Sequence, residues 1–127
     1  MLGKLTSVLP HYKMNLPLMA APRKRMGVYL DDQLGYIFNR REPSGVSAYT
    51  EFIHEGALGF DIGAYIGYFT LLAVSEGATV HAFEPDLANQ DRLKSNLQLN
   101  NIEDSVKVIP KAVSDQNCGE TLFDGPN

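Results

Sequence analysis

Residues 58–67 read Leu-Gly-Phe-Asp-Ile-Gly-Ala-Tyr-Ile-Gly, and no other stretch restricts the fold as much. Phe60 and Ile62 are strand formers around an acid, Asp61. Gly63 and Gly67 supply two positions without a Cβ, and 68–74 continues as an apolar segment of helical length. The predicted order is strand, glycine bend, helix. A helix that starts after such a bend turns backbone N–H groups and a partial positive charge toward whatever lies above the strand end, which favours an anionic group there. Glycine lets that group approach the backbone closely. Asp61 brings a negative charge to the same mouth, which suits an ammonium or hydroxyl donors as well. An amino acid moiety carries both signs.

The rest of the chain is placed relative to that turn. Residues 57–62 read as the first core strand and 68–75 as its helix, ended by Gly77; 79–83 is a short second strand, apolar except at Thr79 and His81. A helix over 86–100 follows, with Asp86 as N-cap after Pro85 and with Leu93 and Leu97 one turn apart on the sheet-facing side. Its apolar stripe is thin, because Leu87 and Leu99 fall elsewhere on the wheel. Residues 106–109 give a third strand, and 114–127 is turn-rich. This alternation predicts an α/β fold of parallel strands joined by right-handed crossover helices. Three strands are few for a sheet buried on both faces, so the expectation is an incomplete core, truncated after its third strand.

Upstream the signals are weaker. Residues 1–25 carry Pro10, Pro17 and Pro22, no lasting period and a basic end, and read as a loose lead-in. Two β-prone runs, 26–30 and 34–38, flank Asp31-Asp32-Gln33 and predict a hairpin. Residues 47–54 predict a short helix with Tyr49, Phe52 and Ile53 inward, closed by Gly56. The expected division is an N-terminal extension, 1–56, and a ligand-binding unit, 57–127.

The totals exclude several function classes. The net charge is -4, and Arg23-Lys24-Arg25 and Arg40-Arg41 are the only basic clusters, which argues against a nucleic-acid surface built on phosphate neutralisation. One cysteine, Cys118, excludes an internal disulfide and fits a reducing, cytoplasmic compartment. Pro10, His11, Lys13, Asn15 and Pro17 interrupt any signal-peptide core. Residues 57–74 come nearest to a membrane span, but glycines at 59, 63 and 67 and the mid-segment Asp61 make strand-turn-helix the better reading, with no membrane partner. No His, Cys or carboxylate spacing resembles a metal site. His81 reads as a sheet residue, and His11 and His54 as surface histidines.

Glu84 ends the second strand in Val-His-Ala-Phe-Glu-Pro, 84 − 63 = 21 residues after Gly63. At that distance a doubly wound fold places an acid over the ribose hydroxyls of an adenosine-containing ligand, and a carboxylate can accept from both hydroxyls. The competing reading makes Glu84 a strand-end acid that caps the next helix beside Asp86. A dinucleotide turn requires Gly-x-Gly-x-x-Gly, whereas the middle position here is Tyr65, and Asp61 sits awkwardly beside a diphosphate. Asp-x-Gly-x-x-x-Gly instead favours a ligand with an amino acid end and no phosphates. S-adenosylmethionine is the common one.

Four blocks in order, Asp61-Ile-Gly-Ala-Tyr-Ile-Gly-Tyr-Phe-Thr70, His81-Ala-Phe-Glu-Pro85, Leu93-Lys-Ser-Asn-Leu-Gln-Leu-Asn-Asn101 and Ala112-Val-Ser-Asp115, resemble those of the FkbM-type S-adenosylmethionine-dependent methyltransferases. The resemblance covers residues 57–123. It implies a class I, Rossmann-like enzyme that methylates oxygen on a small molecule or sugar. It further implies that Asp61, Gly63, Ala64 and Gly67 surround the methionine part of the cofactor, with the larger Tyr65 side chain partly covering that end, and that Glu84 holds the ribose. Phe83, Pro85 and Asp86 would lie beside the adenine edge, and the backbone around Ala112 and Val113 would close the adenine pocket. At position 65 the family usually has Asn, where this chain has Tyr. Two other readings stand beside this one: a non-catalytic adenosine-cofactor-binding module, and an NAD-dependent oxidoreductase, which Tyr65 and Asp61 disfavour. No catalytic base is identified in this sequence.

Overall fold

The computed structural model describes residues 13–29, 43–117 and 119. In chain order the elements are β1 (Lys13–Pro17), β2 (Arg25–Tyr29), α1 (Pro43–Phe52), β3 (Leu58–Ile62), α2 (Tyr68–Ser75), β4 (Thr79–Phe83), α3 (Leu87–Leu99), a 3-10 turn (Glu103–Ser105) and β5 (Val106–Ile109). Strands β3, β4 and β5 form one parallel sheet in that order, with Asp61 level with Ala82, and Phe83 level with Ile109. The expected strand-helix-strand-helix-strand core is therefore present. No helix among the described residues is long and apolar enough to cross a membrane.

Strand alternation divides the sheet into two unlike faces. Gly59, Asp61, Val80 and Ala82 are buried toward α2, which packs on β3 and β4; α3 packs on β5 and β2. On the opposite face Leu58, Phe60 and Ile62 are 53%, 58% and 62% exposed. The Phe60 ring meets His81 edge-on at 5.5 Å and stacks on Phe83 at 6.4 Å. His81 is thus a half-buried sheet residue, as its place in the strand suggested.

The N-terminal part differs from expectation. Residues 13–17 belong to no loose lead-in: β1 pairs antiparallel with β2, Leu16 opposite Met26 and Met14 opposite Val28. The connecting turn is closed by Leu18 N donating to Lys24 O at 3.0 Å and Lys24 N to Ala21 O at 2.8 Å. Leu18, Ala21, Met26 and Val28 are buried in the same hydrophobic cluster as Leu71, Val80 and Leu93. Local propensity undervalued β1 because its ends are Lys and Pro, residues at home on an edge strand. The other predicted hairpin arm, 34–38, lies outside the described residues. Helix α1 starts earlier than the sequence suggested. Tyr49 and Ile53 pack against the core, but Phe52 is 73% exposed, one position around the wheel from the buried stripe.

Helix α3 explains its thin apolar stripe. Asp86 caps it, its side chain accepting from Asn89 N at 2.8 Å, and Leu93 and Leu97 are buried as expected. The remaining inward positions are amides: Gln90 and Asn96 are also buried, and each satisfies backbone groups of other elements. A buried amide is tolerated only when so paired.

Candidate functional site

The parallel register sets Asp61 and Glu84 on the same face at neighbouring strand tips. Asp61 is level with Ala82, and Glu84 follows two residues later with the same parity. Both carboxylates are buried. Between them runs the bend 63–67. Gly63 has φ +78°, Tyr65 φ 53° and Gly67 φ +96°, so three of its five residues are left-handed. The two glycines serve different ends. A Cβ on Gly63 would meet nothing within 4 Å, leaving room for a ligand against the backbone, whereas one on Gly67 would stand 2.6 Å from Leu93 Cδ1. Gly67 is needed for helix packing, whereas the space beside Gly63 is open and its left-handed φ is what favours glycine there.

Asp61 has a structural duty as well. The N-cap of α2 is Gly67, which has no side chain to cap with, and Asp61 supplies the missing acceptor from the adjacent strand. It takes the Thr70 hydroxyl at 2.5 Å and also accepts from the Thr70 backbone N–H. Burial pushes the Asp61 carboxyl above the usual carboxylate range; the Thr70 hydrogen bonds oppose that, and the charge of Glu84 adds to it. Tyr49 of α1 lies close enough to sense Asp61: its hydroxyl is pushed up to about 12, first by burial and then by that negative charge. The Tyr49 ring sits 4.9 Å from Phe69. Tyr49 and Thr70 both interact with Asp61, and spacing alone singled out neither. Thr70 stood at the end of a quoted block, and its position at the third residue of α2 was the signal.

Glu84 gathers donors. Its Oε2 accepts from Tyr65 N at 2.8 Å, and its Oε1 from Asp86 N at 2.9 Å and Asn89 Nδ2 at 3.4 Å. The helix-tying reading of Glu84 is thus seen directly at the start of α3, and the same side chain also binds the glycine bend through Tyr65 N. The bend itself does not offer the bank of open amides expected of it. Gly63 N and Ala64 N both donate to Phe83 O at 2.9 Å, Tyr65 N is taken by Glu84, and Gly67 N by Ala64 O at 2.9 Å. With those four amides engaged, the turn is poorly equipped for a phosphate and retains two carboxylates that attract donors.

The other expected residues fall in different places. Pro85 and Asp86 are half-buried beside Glu84, although the Asp86 side chain is occupied as a helix cap. The Phe83 ring turns to the outer face against Phe60, and only its carbonyl reaches the bend. Ala112 and Val113 are exposed in the segment after β5, and neither joins the hydrogen-bonded cluster of Asp61, Tyr65 and Glu84. Among the described residues, no group of three His, Cys, Asp or Glu side chains could hold a metal ion.

No family model and no curated protein matches the chain. Solved structures do. A Pyrococcus horikoshii protein assigned as a transferase superposes with a TM-score of 0.61 at 21% identity, over 79% of this chain and 36% of its own. A second P. horikoshii protein, assigned as an RNA methyltransferase, gives 0.52 at 26% identity over 65% and 41%. Methanocaldococcus jannaschii Trm5 in complex with adenosine gives 0.50 at 19% over 71% and 27%. The chain thus spans well under half the length of these structures. What it shares with them is the α/β fold with a parallel sheet of Rossmann-like, class I methyltransferases.

Proposed function

We propose that this chain is the cofactor-binding part of an S-adenosylmethionine-dependent methyltransferase, of the FkbM type. The observation that carries the reading is the placement of Asp61 and Glu84 on one face at adjacent strand tips, across a bend whose Gly63 is open to a ligand. Carboxylates with acceptor capacity beyond their internal hydrogen bonds fit an adenosine with an amino acid end: Glu84 is suited to the ribose hydroxyls and Asp61 to the ammonium group. Gly63, Ala64, Tyr65 and Gly67 would enclose the methionine part, with Pro85 and Asp86 at the adenine edge. Phe83, Ala112 and Val113 would contribute through backbone. The engaged amides at 63–65 and the left-handed Tyr65 disfavour the diphosphate of NAD. Solved neighbours of the same fold include one that holds adenosine.

The cofactor supplies an electrophilic methyl on a sulfonium; what the chain supplies is orientation, the chief requirement of direct methyl transfer. The resemblance of the four sequence blocks to FkbM-type enzymes implies an oxygen acceptor on a small molecule or sugar, and the net charge of -4 agrees with that class. A nucleic acid acceptor is the second reading, favoured by the RNA methyltransferase among the neighbours. Calorimetric titration with S-adenosylhomocysteine and with NAD tests the cofactor. Saturable binding of the first alone supports the proposal; binding of NAD alone, or of neither, refutes it. Transfer of labelled methyl from S-adenosylmethionine to RNA rather than to small hydroxylated acceptors would establish the second reading in place of the first.

A further inference from the structure

Asn96 joins three elements that the sequence keeps far apart. It is 1% exposed, and both ends of its amide are engaged: Oδ1 accepts from Gly27 N of β2 at 2.8 Å, and Nδ2 donates to Ile66 O of the glycine bend at 2.7 Å. One turn along α3, Asn100 accepts from Arg25 N at 2.7 Å and donates to Arg25 O at 2.6 Å. Arg25 and Gly27 are alternate residues of β2, and their N–H groups point to α3 rather than to β1. Two asparagines four residues apart thus meet the edge of β2 as a neighbouring strand would.

The two contacts differ in what else they hold. Asn100 serves the hairpin, and Asn96 also grips the bend. Ile66 stands between Tyr65, whose N–H is bound by Glu84, and Gly67, the left-handed N-cap of α2. Fixing the Ile66 carbonyl fixes the 66–67 peptide plane and, with the Glu84 bond, holds the bend at two successive residues.

We propose that Asn96 is a positioning residue for the cofactor bend, anchoring the Ile66 carbonyl to the β1–β2 hairpin without touching the ligand. This rests on the methyltransferase reading above for its ligand, but not for the anchoring itself. Asn96→Asp retains an acceptor for Gly27 N and sets an oxygen against Ile66 O; Asn96→Ala removes both bonds; Asn100→Ala releases the hairpin and spares the bend. Stability is followed by thermal melting, S-adenosylhomocysteine affinity by calorimetry, and amide exchange at Tyr65 and Gly67 by NMR.

Both Asn96 variants should weaken S-adenosylhomocysteine by about tenfold, the effect of one net hydrogen bond, and speed exchange at both amides by a similar factor. Asn100→Ala should lower the melting temperature with affinity and exchange at those amides unchanged. Equal effects from the Asn96 and Asn100 variants, or failure of both Asn96 variants to fold, would overturn the proposal in favour of a purely structural role. Should the wild-type chain not bind S-adenosylhomocysteine, the methyltransferase reading fails, and exchange alone decides the anchor: faster exchange only in the Asn96 variants sustains it, and no difference overturns it.

Discussion

Glu84→Ala separates the two roles assigned to that side chain. The buried carboxylate accepts from Tyr65 N at 2.8 Å and Asp86 N at 2.9 Å, and the proposed ribose contact would use the same two oxygens. A hydrogen bond to a charged group contributes about 1.5–3 kcal/mol. Water can enter the space left at the strand tips and re-solvate the two amides, so the stability loss should be nearer one such bond than two, about 1.5–3 kcal/mol. The affinity loss has the same scale: about 1.5–3 kcal/mol, or roughly 10–150-fold in the dissociation constant of S-adenosylhomocysteine. Glu84→Gln, which keeps the shape and one acceptor, should fall between wild type and Glu84→Ala. The assay is calorimetric titration at a temperature where circular dichroism shows both variants fully folded. A folded Glu84→Ala chain with wild-type affinity would refute the ribose assignment and leave Glu84 as a helix-tying acid alone.

Asp61→Asn keeps an acceptor for Thr70 and removes a buried charge. The folded carboxyl titrates above its unfolded value, so the native chain holds more protons than the unfolded chain between those two values, and wild-type stability gains from Asp61 as pH falls through the raised pKa toward 3.8. Urea melts should therefore show Asp61→Asn at least as stable as wild type at pH 7, with its advantage vanishing in acid, while S-adenosylhomocysteine binding weakens about tenfold. An advantage that grows in acid, or unchanged affinity, would contradict this. Gly67→Ala should destabilise by roughly 2–6 kcal/mol, the sum of a left-handed non-glycine residue and forced repacking at Leu93, measurable by denaturant melting. The exposed apolar outer face should make the chain self-associate in analytical ultracentrifugation, and replacing Leu58 and Phe60 with Gln should reduce that while leaving affinity intact, because the face is opposite to the candidate site.

What could be read in the sequence was what is locally encoded. The bounds of Tyr68–Ser75, Thr79–Phe83 and Val106–Ile109 agree with the reading because glycines and changes of period mark them. The pairing of β1 with β2 was not legible, since register between two short polar-ended runs depends on what buries Met26 and Val28 from outside. The inward face of α3 was half legible: leucines announce themselves, whereas Gln90 and Asn96 look like solvent residues until their backbone partners are in place. In the candidate site, glycine spacing and strand ends pointed to Asp61, Gly63, Tyr65 and Glu84, which the fold brings together. The destination of the bend's amides was hidden, because it depends on the Phe83 carbonyl in the next strand.

A crystal structure of the chain with S-adenosylhomocysteine would show at once where the nucleoside sits. The ribose hydroxyls should lie within hydrogen-bonding distance of Glu84, and the amino acid end against Gly63 with its ammonium toward Asp61. Density for the nucleoside elsewhere, with the Glu84 carboxylate still bound only to Tyr65, Asp86 and Asn89, would contradict that placement.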